Sequence, residues 1–360
     1  MGKTPLEKTC KEISAPLISV VMAVYNGEDF LPAAIESVLQ QTWKLFEFII
    51  INDASTDGTP EILNKYQSTD DRIRIIKNEA NLGLGASLRK GIEISKGEFI
   101  ARMDADDVSL THRFEKQVEY LLNHPEIFAV GGKTSFMDDN GGNLDSRLPM
   151  ESDLLRWNML LGNGLILIHG SVMFRREFFD RFGTYSDLRA AQDFELWTRT
   201  FSCQPLPLAN LNEIIYLTRD HEKSTTNAKS DLQETNAINI RLESISNFLG
   251  RSVSPDVVVA YRHPGDNYLD IQECILTWID LYEKFMDQFQ ANKGVEQYIK
   301  NELLYEINKY TTLRSTRTQI RFKASIWKII PRIPLKFSLN ILIIKINEFL
   351  WNQNSKYSST

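Results

Sequence analysis

Four short, mostly apolar runs, LISVVMAV (17–24), FEFIII (46–51), IRII (73–76) and EFIARM (98–103), recur through the first third of the chain. Runs of this length, rich in Val and Ile, suit strands covered on both faces. The stretches between them carry helix punctuation. Pro32 falls in the first turn of 31–41, and 59–66 follows the capping group Ser55, Thr56 and Asp57. Leu84, Leu88 and Ile92 repeat at helical spacing before Gly97. Strand–helix–strand units with connections this short fold right-handed into a mostly parallel sheet, so the chain is of α/β class. Ligands of such sheets sit beyond the carboxyl ends of the strands. That rule brings Tyr25-Asn26, Asn52-Asp53 and Asp104-Ala105-Asp106 to one rim.

Beyond Gly131 the pattern is mixed. LILIHGSVMF (165–174) predicts a strand, DFELWTRTF (193–201) a helix and EIIYLTR (213–219) a further strand. From Ser230 the chain reads as helices, with Ile238, Leu242, Ile245 and Leu249 on one face and Gly250 as the stop. The expected division is an N-terminal tail (1–16), a domain over 17–229 made of a first half (17–130) and a second half (131–229), and a helical region over 230–360. Within that region the segment 314–350 stands apart. From Arg314 to Lys345 it holds eight cations and no acid, interleaved with Ile, Leu, Phe and Trp, although the whole chain carries a net charge of −6. Such a segment suits an anionic membrane surface, or a terminal helix packed on the domain. Pro331 and Pro334 break it into short pieces.

Cys10, Cys203 and Cys274 are odd in number and widely spaced, which argues against a disulfide framework or a zinc site and for a reducing compartment. MGKTPLEKTCKEIS lacks the apolar core of a signal peptide, and no segment approaches the ~20 apolar residues of a membrane span.

FIARMDADD (99–107) ends its apolar run with Asp104, Asp106 and Asp107, carboxylates that repel one another unless water or a cation intervenes. Asp104 and Asp106 offer hard oxygen ligands suited to Mg2+ or Mn2+. An ion held there can bridge a diphosphate and neutralise charge on a departing phosphate. Asp107 reads instead as the start of the next helix, 113–123. Asp53, in INDASTDGT, can accept the imide N–H of uracil, and Tyr25 can stack on the base. Alone, Asp53 would read as a turn residue. Arg89 can steady phosphates, although charges on a helix face are more often merely solvated. His169 interrupts an apolar run, either lining an acceptor pocket or serving as a core histidine.

ISVVMAVYNGEDFLPAAIESVLQQT, IIINDASTDGT, NEANLGLGASLRKGIEISKGEFIARMDADD, QDFELWTR and RDHEKST, in that order, resemble the family 2 glycosyltransferases with their GT-A fold. The likeness spans residues 18 to about 225 and leaves 231–360 unassigned. It implies a nucleotide-sugar donor, a divalent metal (Mn2+ or Mg2+) and inversion at the anomeric carbon, with 17–130 the nucleotide-binding half and 131–229 the acceptor-binding half. Carried over residue by residue, the uracil-reading aspartate is Asp53, preceded here by Asn52 where many members have a second aspartate. Tyr25 and Asn26 share its rim. The DXD motif falls on Asp104 and Asp106, with Asp106 the more direct metal ligand. The acidic pair that supplies the catalytic base reads Gln192-Asp193, so the first acid is an amide and Asp193 is the expected base, against the bland role of a helix cap. His221 matches the loop histidine that ligates metal or touches the diphosphate, against a surface loop residue. Glu195 and Arg199 orient or pair along the same helix.

The expected activity is inverting transfer from a UDP-sugar to a saccharide acceptor, lipid-linked, in cell-surface polysaccharide or lipopolysaccharide assembly. The place of work is the cytoplasm, peripheral to the membrane face, with no nucleic-acid partner. Two rivals stand beside it: a non-catalytic nucleotide-sugar binder or scaffold, favoured by Gln192, and a sugar-phosphate nucleotidyltransferase, which would need a basic Gly-rich loop where the chain has AVYNGED.

Overall fold

The structure is a computed structural model of the chain, which describes residues 15–137, 144–145, 148, 150–162, 166–219, 230–262 and 271–312. Residues 1–14 of the expected tail 1–16 and the whole segment 314–350 lie outside the described residues, as does His221. The chain forms two compact units, one of residues 1–152 and 165–233, the other of 153–164 and 234–360.

The first unit is built on a nine-stranded sheet. Strands β1 (Ile18–Val24), β2 (Phe46–Asn52), β3 (Ile73–Lys77) and β4 (Phe99–Met103) are the four apolar runs. They pair in parallel in the order β3-β2-β1-β4. Between them run α1 (Leu31–Leu39), α2 (Thr59–Gln67) and α3 (Leu84–Ile94). Val20, Met22, Phe48, Ile50, Phe99 and Ala101 are fully or almost fully buried in one core with Ile35, Val38 and Phe114. The strand order reverses beside β1, where β2 lies on one flank and β4 on the other, and such a switch point opens a crevice at the carboxyl ends.

Past β4 come the short β5 (Val108–Ser109), α4 (Arg113–Asn123) and β6 (Ala129–Met137). Next are β7 (Leu144–Asp145), α5 (Ser152–Leu160) and β8 (Met173–Arg175), then α6 (Arg176–Phe182), α7 (Gln192–Thr198) and β9 (Leu208–Arg219). The sheet turns antiparallel where β8 joins β4. Buried Arg113 and Gln117 of α4 hold that junction. Arg113 donates to the carbonyls of Arg102 and Val172, and Gln117 to those of Val130 and Ser171.

Two local expectations fail. The run 165–174 yields a strand only at its end. His169–Ser171 is instead a turn of 3-10 helix, closed by the Ser171 N–H and hydroxyl on the Ile168 carbonyl. Apolar residues there are buried on both sides of a turn, which mimics strand alternation. Asp107 does not start α4, whose N-cap position is His112. It precedes β5, and its carboxylate accepts the N–H of Arg219 from the end of β9.

The second unit comprises most of α5 with α8 (Ser230–Leu249, from residue 234 on), α9 (Asp256–Arg262), α10 (Ile271–Phe289) and α11 (Lys293–Thr312). Trp157, Trp278, Phe285, Ile299 and Leu303 fill its core. The two indoles donate to Glu302 and to the Val257 carbonyl, so neither N–H is buried unpaired. Gly250 ends α8 at φ +73°, a left-handed conformation that glycine adopts without strain.

Candidate active site

The parallel register lines up the strand ends. Val24 pairs with Asn52 and Met22 with Met103, so Tyr25, Asp53 and Asp104 leave the sheet on one rim. The first two loops are knitted together there. Asn26, at φ +52°, accepts the Thr56 N–H through its side chain, while its own N–H donates to the Ser55 hydroxyl. The N–H of Gly27 donates to Thr59, that of Glu28 to Asp57, and Glu28 accepts the N–H of Gly58. Asn52 serves the turn as an aspartate would, its Oδ1 taking the Ser55 N–H at 2.9 Å. Tyr25 remains 52% exposed on this rim.

Asp53 is almost fully enclosed. Its Oδ1 accepts from Asn78 Nδ2 (2.8 Å) and the Leu82 N–H (2.9 Å), and its Oδ2 accepts from the Gly83 N–H (2.8 Å). Gly83 sits at φ +91°, so the loop that presents these donors depends on glycine. Burial pushes the Asp53 carboxyl up, but the bonds from Asn78, Leu82, Gly83 and Ser87 outweigh it and hold it below the usual carboxylate range.

Asp104 and Asp106 follow β4. The Asp104 carboxylate forms an ion pair with the buried guanidinium of Arg102, two residues upstream on the strand, and its N–H donates to the Tyr216 hydroxyl at 3.1 Å. Gly170 lies directly against it, since a Cβ there would collide with Asp104 Oδ2 and the Tyr216 hydroxyl. Arg219 binds the following segment, its Nε on the Asp106 carbonyl and its N–H on Asp107.

Asp193 opens α7, behind Ala191 in a left-handed conformation at φ +59°. Burial raises its carboxyl above the usual range, against the opposing pull of the N–H groups of Phe194 and Asp193 itself and of the Arg102 charge. Asp104 is raised too, by burial and by the charges of Asp106 and Asp193, with Arg102 opposing. Asp107 is raised furthest, by burial and by the Asp104 and Asp106 charges. Asp104 thus shares the Arg102 guanidinium with Asp193 and carboxylate repulsion with Asp107, and the buried Arg113 guanidinium faces both Asp104 and Asp107. His169 adjoins it, its Nε2 2.6 Å from the Tyr185 hydroxyl. Burial and the Arg102 charge hold this imidazole neutral.

Gln192 packs against Gly85 of α3, and its Oε1 is buried without a hydrogen-bond partner among the described residues. Arg89 reaches neither Asp104 nor Asp106 by any hydrogen bond or ion pair among the described residues. It donates to the Tyr185 carbonyl (2.9 Å) and pairs with Asp187 (2.7 Å), fastening the loop before α7 to α3. A cavity of ≈ 210 Å³ lies beside this junction, lined by residues that include Gly83, Gly85, Ser186 and Arg189.

Arg102, Tyr185, Tyr216 and Arg219 are absent from the expectations. Arg102 alone left a sequence trace, a cation inside the run FIARM. Tyr216 and Arg219 come from more than 110 positions along the chain and carry no local mark.

The model of a family described as Glycosyl transferase family 2 matches residues 19–183. An uncharacterized glycosyltransferase of Methanocaldococcus jannaschii is 37% identical over 190 residues, covering 52% of this chain and 66% of that protein. The O-antigen biosynthesis glycosyltransferase WbnJ of Escherichia coli is 30% identical over 240 residues, covering 65% of this chain and 92% of that protein. Among solved structures, residues 1–349 of Staphylococcus aureus TarS in complex with UDP superpose with a TM-score of 0.51 at 15% identity, over 85% of this chain and 91% of that one. That likeness shows the shared GT-A fold.

Proposed function

Because the chain belongs to glycosyl transferase family 2, we propose that it transfers a sugar from a UDP-sugar to a saccharide acceptor, inverting the anomeric carbon. The observation that carries this reading is the shared electrostatic site of Asp104 and Asp193. The charge of Asp193, on the second half of the domain, reaches the Asp104 carboxyl beyond the parallel strands, and the Arg102 guanidinium acts on both acids. A transferase needs such a pair, one acid on the donor side and one to take the acceptor's proton.

In this reading the UDP moiety lies across the strand ends. Asp53 meets the uracil imide N–H at this rim, and Tyr25 stacks on the base. Asp104 and Asp106 hold a divalent cation, Mn2+ or Mg2+. The donor set fits one, since Asp104 and Asp106 are hard oxygen ligands one residue apart, and burial together with the neighbouring carboxylates raises Asp104. Among the described residues no three His, Cys, Asp or Glu side chains converge as a self-sufficient metal cage. Two acids completed by substrate phosphates are a usual magnesium arrangement. The ion, when bound, neutralises charge on the leaving diphosphate.

Asp193 supplies the general base. The acceptor oxygen attacks the anomeric carbon, the bond from that carbon to the diphosphate breaks, the acceptor proton moves to the Asp193 carboxylate, and UDP leaves. A carboxyl raised toward working pH is the better base. His169 and Gln192 line the acceptor side, and His221 assists the metal or diphosphate. We assign the acceptor to a lipid-linked saccharide of cell-surface polysaccharide assembly, supported by the O-antigen role in the name of WbnJ and by the cationic, apolar sequence of 314–350 at the membrane face. No helix among the described residues is long and apolar enough to cross a membrane.

The test is a panel of UDP-sugars with Mn2+ and the full chain, read by melting temperature and by UDP release. One donor that raises Tm and is slowly hydrolysed supports transfer. Binding without turnover under any acceptor supports instead the scaffold reading that Gln192 favours. No binding to any UDP-sugar overturns the proposal.

A further inference from the structure

Arg102 is the residue that the reading above leaves without a task. It sits on β4 among fully buried neighbours, and its backbone is already used, the N–H on the Val172 carbonyl and the carbonyl on Arg113. Sheet geometry therefore does not need its side chain. Burying a guanidinium costs several kcal/mol unless a carboxylate answers it. Here the answering group is Asp104, while Arg102 Nε is buried with no hydrogen-bond partner among the described residues. On its other side the Asp104 carboxylate meets Gly170, which leaves no room for a Cβ. One oxygen faces the cation and the other faces a glycine wall. The side chain of Asp104 keeps only 30% of its exposure.

We propose that Arg102 is a positioning residue that holds the Asp104 carboxylate against Gly170, so that before UDP arrives a divalent cation finds Asp106 and not the pair. Resting on the assignment of Asp104 and Asp106 to the cation, this makes cation binding depend on the nucleotide. The diphosphate brings the further oxygens that two free acids would otherwise have supplied. An empty enzyme then does not fill with metal ahead of its donor.

Electron paramagnetic resonance of Mn2+ with the purified full chain tests this, with and without UDP. In the parent chain Mn2+ binds weakly alone and tightly with UDP. Arg102→Met frees Asp104 and tightens UDP-independent Mn2+ binding on the order of tenfold, the effect of uncovering one carboxylate beside a doubly charged ion in a partly screened site. Arg102→Lys, which keeps the charge on a less well fitted stem, falls between the two and settles the question if the Met variant does not fold. In an Asp104→Asn background, Arg102→Met has no carboxylate to free, and its gain shrinks to below about threefold. Equal Mn2+ affinity in every folded variant, with only Tm lowered, marks Arg102 as structural and overturns the inference. A gain of the same size in the Asp104→Asn background overturns it too. Failure of the parent chain to bind Mn2+ even with UDP strikes the proposed function instead.

Discussion

Asp53, buried, and Asp193, half-buried, are both aspartates of the first unit, and their environments drive them in opposite directions. Asp53 is surrounded by donors, Asn78 and the N–H groups of Leu82 and Gly83, and burial is overcome. Asp193 has the N–H groups at the start of α7 and a shared guanidinium, and burial wins. Asp104 and Asp107 go the same way as Asp193. The donors around Asp53 thus outweigh its burial in the free protein, whereas around Asp104 and Asp193 burial outweighs the Arg102 guanidinium. In the proposed function the first meets the base through hydrogen bonds and the second takes a cation and a proton.

The sharpest way to break this contrast is Asp193→Asn. It removes the proton acceptor and leaves the Asp53 loop untouched, so kcat falls by about 10²–10⁴, the usual contribution of a positioned base, while calorimetry shows Mn2+-dependent UDP binding unchanged. Asp53→Ala strikes the other pole. The N–H groups of Leu82 and Gly83 lose their acceptor, and urea unfolding should show a loss of about 2–4 kcal/mol with UDP affinity falling alongside.

Asp107→Asn sharpens the comparison from the charge side. A carboxyl raised in the fold binds protons more tightly there than in the unfolded chain, so stability falls as pH rises from the ordinary carboxylate range through the folded value. The amide that replaces the Asp107 carboxyl keeps an acceptor for Arg219 and removes that slope. Tm near neutral pH should rise by about 2–4 °C, what ~1 kcal/mol is worth in a domain of this size. Asp53 behaves oppositely, its stabilisation present above the ordinary range and lost as acid protonates it. The smallest effect is expected of Arg89→Ala, which loses the Tyr185 carbonyl and an exposed partner, Asp187. Stability should drop by about 1 kcal/mol or less, and an unchanged UDP affinity would confirm that it fastens a loop.

The first pole was largely legible in the sequence, because its determinants are local. The runs 17–24, 46–51, 73–76 and 98–103 became β1 to β4, and each motif sits directly after its strand. The second pole was legible in its residue types and not in its wiring. DAD and Asp193 announce themselves, but Tyr216 and Arg219, which hold the DAD backbone, arrive from a distant strand. Asp107 looked like a cap because a helix follows, and only the pairing of β5 with β9 shows that it answers Arg219. The run 165–174 alternated like a strand because both faces of its turn are buried. Arg89 was a phosphate candidate by charge alone, and its partners lie almost a hundred residues on.

The central claim is transfer itself, and the most direct measurement follows one reaction by NMR: the full chain, Mn2+, the UDP-sugar that raises Tm most, and a matching saccharide acceptor. Stoichiometric release of UDP and a new glycosidic bond of inverted anomeric configuration are expected. UDP-sugar bound but never turned over, or a product of retained configuration, would contradict it.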